Sequence, residues 1–147
     1  MNFRERRAIL LDSDANNRML LEFALAMGRI EYYEASTGQQ VVELWDQNTY
    51  AFAFLDMELP DMNGLELTRF IRRQDPEIAI IIASVNDEPE SVTAAVEAGC
   101  DLYLIKPFQL DMVMTLAKII NAENLRAAPN VLVIDDQSRP RWEPRTA

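Results

Sequence analysis

The chain predicts an α/β protein built on a doubly wound parallel sheet, and three observations carry that expectation. Short apolar runs of strand length recur through residues 1–120, each followed by a stretch with helical spacing. The central runs, Ala51-Phe52-Ala53-Phe54-Leu55 and Ile78–Ala83, lack polar alternation, the mark of strands buried on both faces. The links between runs are short, which favours right-handed crossovers and a sheet covered by helices on both sides.

Each element has a local reason. Ala8-Ile9-Leu10-Leu11 forms the first strand, and residues 15–27 then set Met19, Leu20, Phe23, Ala24 and Met27 at helical spacing, with Gly28 as the stop. A short strand spans Glu31–Ala35, and Thr37 caps a helix over 38–47. The third strand, 51–55, runs into Asp56, after which Pro60 and Gly64 turn the chain. The next helix carries Leu65, Leu67, Phe70 and Ile71 until Pro76 is near. Ile78–Ala83 is the fourth strand, Pro89–Ala98 a helix closed by Gly99, Asp101–Ile105 the fifth strand, and 108–120 the fifth helix. Size favours a flavodoxin-like strand order, 2-1-3-4-5, whose switch point lies between the first and third strands. Asp12 and Asp56 end those two strands.

Composition narrows the class. With 147 residues, 49% apolar and 26% charged, the chain is one ordinary globular domain. Cys100 is the single cysteine, which excludes an internal disulfide and fits a reducing compartment. The charged start, Met1-Asn2-Phe3-Arg4-Glu5-Arg6-Arg7, is unlike a signal peptide, and no apolar run approaches the ~20 residues of a membrane span. The expected location is cytoplasmic, without membrane association. Net charge is -10, and residues 1–120 hold all of the excess, with 20 acids against 10 bases. Such a surface repels phosphate backbones, so no nucleic-acid partner is expected, and the tail bases Arg139, Arg141 and Arg145 are too few to change that.

Residues 121–147 read as a C-terminal tail after a domain at 1–120, joined through Ala127-Ala128-Pro129. Asn130-Val131-Leu132-Val133-Ile134-Asp135-Asp136 repeats the logic of Ile9–Asp14, an apolar strand followed by acids. It reads either as an extra strand at 131–134 docking on a sheet edge or as the opening of a second copy. The fifth helix is apolar on most of its circumference, with a narrow polar stripe at Asp111, Thr115 and Lys118. Such a helix is covered on more than one side, by a partner, by a second copy or by the tail.

The chemistry-bearing residues sit at strand ends. The first strand offers Asp12, Ser13 and Asp14; the third offers Asp56, with Glu58 two residues on; the fourth ends in Ser84 and the fifth in Lys106-Pro107. Carboxylates converging on one cleft repel unless a cation lies among them, and Mg²⁺ accepts one or two carboxylates together with a phosphoryl oxygen. A lysine and a hydroxyl facing the same point suit a phosphoryl group. Asp56 is then a candidate nucleophile, and the product an aspartyl phosphate.

With these residues in place, 8–120 resembles the receiver domain of two-component response regulators, the CheY-like fold. The resemblance rests on Leu-Asp-Met-Glu-Leu-Pro-Asp-Met-Asn-Gly at 55–64, Ile-Ile-Ile-Ala-Ser at 80–84 and Ala-Gly-Cys-Asp-Leu-Tyr-Leu-Ile-Lys-Pro-Phe at 98–108. It implies a phosphorylation-gated signalling switch in which Asp56 accepts a phosphoryl group from a histidine kinase or phosphotransfer protein. Lys106 would pair with the phosphoryl oxygens, Ser84 would be the switch hydroxyl, and Tyr103 the aromatic that turns inward when Ser84 is recruited. Lys106-Pro107 would be a cis peptide. Mg²⁺ would be held by Asp12, Asp56 and the backbone carbonyl of Glu58. One position departs from the pattern: where the family places a second acid directly on the metal, this chain has Ser13. A neutral hydroxyl is a weaker ligand for a hard dication, so Mg²⁺ binding is expected to be weakened, with Asp14 or the Glu58 carboxylate as partial substitutes. Output is expected through protein contact, with a downstream partner or a homodimer formed through the fourth helix, fifth strand and fifth helix.

Two other readings use the same residues. A pseudo-receiver would act as an interaction module independent of phosphorylation. A haloacid-dehalogenase-type phosphatase would take Asp12 as nucleophile and Asp14 as acid/base, with Ser84, Lys106 and Asp135 or Asp136 completing its motifs; it leaves the 56–64 run unexplained. The receiver reading is a switch rather than a metabolic enzyme.

Overall fold

The computed structural model describes residues 6–45, 50–122, 124–135 and 140–145. Asp136 and Arg139, singled out in the tail, lie outside them. The elements alternate as expected: β1 Arg7–Leu11, α1 Ala15–Met27, β2 Glu31–Glu34, α2 Gly38–Trp45, β3 Phe52–Asp56, α3 Gly64–Gln74, β4 Ala79–Ser84, α4 Pro89–Ala98, β5 Leu102–Ile105 and α5 Leu110–Ala122. A single 3-10 turn, Leu125–Ala127, leads into β6 Asn130–Ile134 and β7 Pro140–Pro144.

All strands join one sheet of order β2-β1-β3-β4-β5-β6-β7. Pairing is parallel from β2 through β6. Because side chains alternate across a sheet, its two faces feed two cores. Leu10, Phe54, Ile81 and Leu104 pack under α1 and α5, whereas Ile9, Leu55, Ile80, Ile82 and Tyr103 pack under α2, α3 and α4. Every residue of β3 and β4 is buried, which explains their unbroken apolar sequence.

The tail is part of this sheet. β6 pairs with β5, aligning Leu102 with Leu132 and Leu104 with Ile134, and β7 returns antiparallel to β6. The sequence reading anticipated the strand over 131–134 but not β7, whose Pro-Arg-Trp-Glu-Pro carries almost no apolar alternation. Pairing with an already docked β6 supplies what its own pattern lacks. The apolar circumference of α5 is explained at the same time. Met112, Val113, Leu116, Ala117 and Ile120 are buried in the core that holds α1 residues, Leu125 and β6 residues Leu132 and Ile134, leaving Leu110 and Met114 outward.

A buried carboxylate pins the tail in place. Asp101, at the entry to β5, is 1% exposed, and three guanidinium groups converge on it. Arg72 of α3 lies 2.8 Å from Oδ2, Arg126 of the 3-10 turn 3.2 Å from Oδ1, and Arg145, just after β7, 2.9 Å from Oδ1. The Ile80 amide also donates to Oδ2 at 2.8 Å. The guanidiniums are satisfied in turn by main-chain carbonyls: Arg72 by Gly99 and Ile78, Arg145 by Leu125 and Ala128. Removing the negative partner of such a cluster leaves buried positive charge uncompensated. Asp101→Asn is therefore expected to lower stability by about 3 kcal/mol, read by urea denaturation, and to speed proteolysis in the tail.

Candidate functional site

The strand order sets β1 beside β3, and β4 and β5 follow, so the carboxyl ends of these four strands frame one cleft. Asp12, just past β1, is 3% exposed, and Asp56, the last residue of β3, is 2% exposed. Lys106, after β5, reaches both: its Nζ is 3.1 Å from Asp56 Oδ2 and 3.4 Å from Asp12 Oδ2. The Lys106 amide donates to the Ser84 carbonyl at 2.7 Å, and the peptide joining Lys106 to Pro107 is cis.

Local backbone geometry holds Asp56. The Glu58 amide donates to Asp56 Oδ1 at 3.1 Å, and the Met57 amide extends the ladder to the Ala83 carbonyl. Gly64 begins α3 directly against this turn: a Cβ there would fall 2.6 Å from the Asp56 carbonyl oxygen and 2.7 Å from Met57 Cα. The glycine in the 55–64 motif is thus required by close backbone approach. Asn63 caps α3 through the Leu65 amide, which fixes where the turn ends.

The acids after β1 have separate duties. Asp12 Oδ1 accepts the Asp14 amide at 2.9 Å, while Oδ2 is buried with no hydrogen-bond partner beyond its long ion pair with Lys106. Asp14 is the N-cap of α1, its carboxylate accepting the Asn16 and Asn17 amides. The capping bonds use Oδ1 alone, and Asp14 also lines the cleft beside Asp56. Ser13 is exposed on the rim of a cleft of about 500 Å³ bounded by Asp56, Glu58, Lys106 and Pro107.

The second half of the site runs sideways from Asp56. Ser84 is fully buried, and its hydroxyl donates to Glu58 Oε1 at 2.8 Å while accepting the Asn86 amide at 3.0 Å. The Asn86 carbonyl accepts the Tyr103 hydroxyl at 2.7 Å. Tyr103 is fully buried, so its ring already points inward. Sequence reasoning missed Asn86 because it participates through its main chain, which no residue-type pattern reports.

Burial governs the electrostatics. Desolvation raises the Asp12 carboxyl above the usual Asp range, opposed by the Asp14 amide and by Lys106. Desolvation also raises Glu58, opposed by the Ser84 hydrogen bond and reinforced by neighbouring Asp56. Burial likewise raises the Tyr103 phenol.

A hard dication fits these donors in part. Asp12 Oδ2, which has the Lys106 ion pair but no hydrogen bond, and the Asp56 carboxylate at the cleft wall offer two oxygens, within the habit of Mg²⁺ of taking one or two carboxylates and retaining water. Among the described residues no cluster of three or more Asp, Glu, Cys or His side chains has metal-site geometry.

Comparison with known proteins identifies the family. The response regulator receiver domain family matches residues 8–126, and the chain belongs to that family. It is 31% identical over 132 residues to the transcriptional regulatory protein SrrA of Staphylococcus aureus, covering 90% of this chain and 52% of that protein. The chain thus spans about half the length of the curated relatives it matches. Among solved structures, the response regulator TrrA of Thermotoga maritima, determined in complex with Mg²⁺-BeF, is 26% identical with a TM-score of 0.65, covering 77% of this chain and 96% of that one. A CheY-like receiver domain protein from Methanospirillum hungatei, 22% identical, shares the fold with a TM-score of 0.71 over 84% of this chain and 98% of that one. Among the described residues no helix is long and apolar enough to cross a membrane.

Two outcomes test the metal reading. Ser13→Asp is expected to tighten Mg²⁺ binding at least ~10-fold by adding a charged ligand, measured by titration calorimetry; equal affinities would refute a deficit at this position. The raised Asp12 carboxyl gives the second. Its neutral form favours the metal-free fold at low pH, and that contribution is lost as pH rises through the raised value. In chelator, denaturation midpoints across a pH series are therefore expected to fall less steeply for Asp12→Asn than for wild type.

Proposed function

We propose that this receiver domain is a phosphorylation-gated switch whose acceptor is Asp56. The observation that carries the reading is the Lys106 ammonium bridging the Asp56 and Asp12 carboxylates, with buried Ser84 next in sequence to Ala83, the residue that pairs with Asp56 on the neighbouring strand. An Asp56 oxygen would attack the phosphorus of a phosphohistidine on a histidine kinase or phosphotransfer protein; the new P–O bond forms as the P–N bond breaks, and the imidazole leaves. Lys106 supplies positive charge to the incoming phosphoryl oxygens, and Ser84, released from Glu58, would donate to one of them. Mg²⁺, when bound, would be held by Asp12 and Asp56 and would neutralise charge at the transferred group; the Mg²⁺-BeF complex of TrrA supports that assignment by analogy.

The output of such a switch is a change of surface rather than a metabolic reaction, read by a protein partner or a second copy in the cytoplasm. Surface contacts of this kind would use the helical faces of α4 and α5, because β6 already covers the β5 edge. Ser13 favours a second reading, a pseudo-receiver that binds partners without phosphorylation. Acetyl phosphate with Mg²⁺, followed by intact mass, separates the two. A labile phosphoryl adduct on wild type that is absent from Asp56→Asn is expected; absence of the adduct from wild type would favour the pseudo-receiver. Lys106→Ala is expected to slow adduct formation by roughly tenfold or more.

A further inference from the structure

The Ser84 hydroxyl has one proton to donate, and Glu58 holds it. Both hydrogen-bonding directions of that hydroxyl are in use, outward to Glu58 Oε1 at 2.8 Å and inward from the Asn86 amide at 3.0 Å. We infer that Glu58 is the resting acceptor of the switch hydroxyl, a positioning residue that keeps Ser84, Asn86 and Tyr103 in one arrangement until a phosphoryl oxygen takes its place. The inference rests on Asp56 being the phosphoacceptor and extends that reading to what the phosphoryl group must displace.

The donor is buried and the acceptor is exposed, which makes the pairing both necessary and breakable. Ser84 has no exposure, so without an acceptor its hydroxyl would be left unsatisfied in the interior. Glu58 is exposed and has solvent to swing into. Its main chain is tied to the acceptor through the bond from the Glu58 amide to Asp56 Oδ1, so the side chain starts within reach of any group added there. A phosphoryl group on Asp56 would bring further negative charge against the Glu58 carboxylate and offer Ser84 a competing oxygen. One proton cannot serve both, so the two acceptors exclude each other. Glu58 also borders a second groove of about 630 Å³ whose walls include Met57, Ser84, Asn86 and Glu90. Exchange of the acceptor therefore alters the lining of a surface beyond the Asp56 cleft.

Two measurements test the assignment. The first is binding of beryllofluoride with Mg²⁺ to wild type, Glu58→Ala, Ser84→Ala and the double variant. Glu58→Ala is expected to bind about tenfold tighter when Ser84 is present, and to differ little from its parent when Ser84 is absent. Glu58→Gln, which keeps an acceptor and loses the charge, is expected to fall between. An equal gain in both backgrounds would show that Glu58 acts through charge or metal alone and would overturn the proposal. The second measurement needs no phosphoryl analogue. In protein labelled with fluorotyrosine, the ¹⁹F resonance of Tyr103, assigned with Tyr103→Phe, is expected to shift or broaden in Glu58→Ala as the inward arrangement loosens. An unchanged resonance overturns the proposal. Beryllofluoride binding to none of the proteins, with a Tyr103 resonance that still responds to Glu58→Ala, sinks the phosphoacceptor reading and leaves Glu58 as the Ser84 acceptor.

Discussion

The ion pair between Lys106 and the two buried carboxylates is the constraint around which the rest is arranged. Asp12 and Asp56 are 3% and 2% exposed and end neighbouring strands, an arrangement that raises their free energy unless positive charge lies between them. Lys106 supplies it from β5, two strands beyond β3. This works only because parallel pairing turns all the relevant strand ends to the same side and the order 2-1-3-4-5 makes those strands neighbours. The apolar character of β3 and β4 thereby has a functional meaning: burial on both faces fixes the position of the residues that emerge at their ends.

Much of this was legible in the residues. The apolar runs, the helical spacing of Met19 to Met27 and the punctuation by Gly28, Pro60, Gly64 and Gly99 specify elements through local physics alone. The cluster of Asp12, Asp56, Ser84 and Lys106 was legible because strand ends in a parallel sheet converge, so knowing the topology places the side chains. Asp14 shows the limit of that argument. Its carboxylate type suits a metal, yet it stands one residue before α1, where Oδ1 takes the otherwise unsatisfied amides of Asn16 and Asn17, a second duty that residue type alone does not report. The inward Tyr103 and the linking role of Asn86 depend on main-chain hydrogen bonds, to which residue identity contributes almost nothing.

β7 and the Asp101 cluster were not legible for a different reason. Each is stabilised by partners far away in sequence: Arg72, Arg126 and Arg145 span α3, the 3-10 turn and the end of β7 before meeting on one carboxylate. An aspartate opening an otherwise apolar strand was the single hint available. It identifies a buried charge without saying what neutralises it.

β5 thus carries a charge cluster at each extremity, Asp101 with its guanidiniums at the entry and Lys106 with its carboxylates at the exit, and β6 lies along its flank. The strand that bears Tyr103 is therefore an interior member of the sheet, closed to recruitment by another chain. At this edge of the sheet the outermost strand is β7, and Pro140 and Pro144 at its two ends withhold amide donors there. A margin of that kind is a poor template for annealing further strands. On that side, lateral growth of the sheet into fibres or strand-swapped assemblies meets a barrier written into the tail itself, whereas the opposite edge, β2, carries no proline.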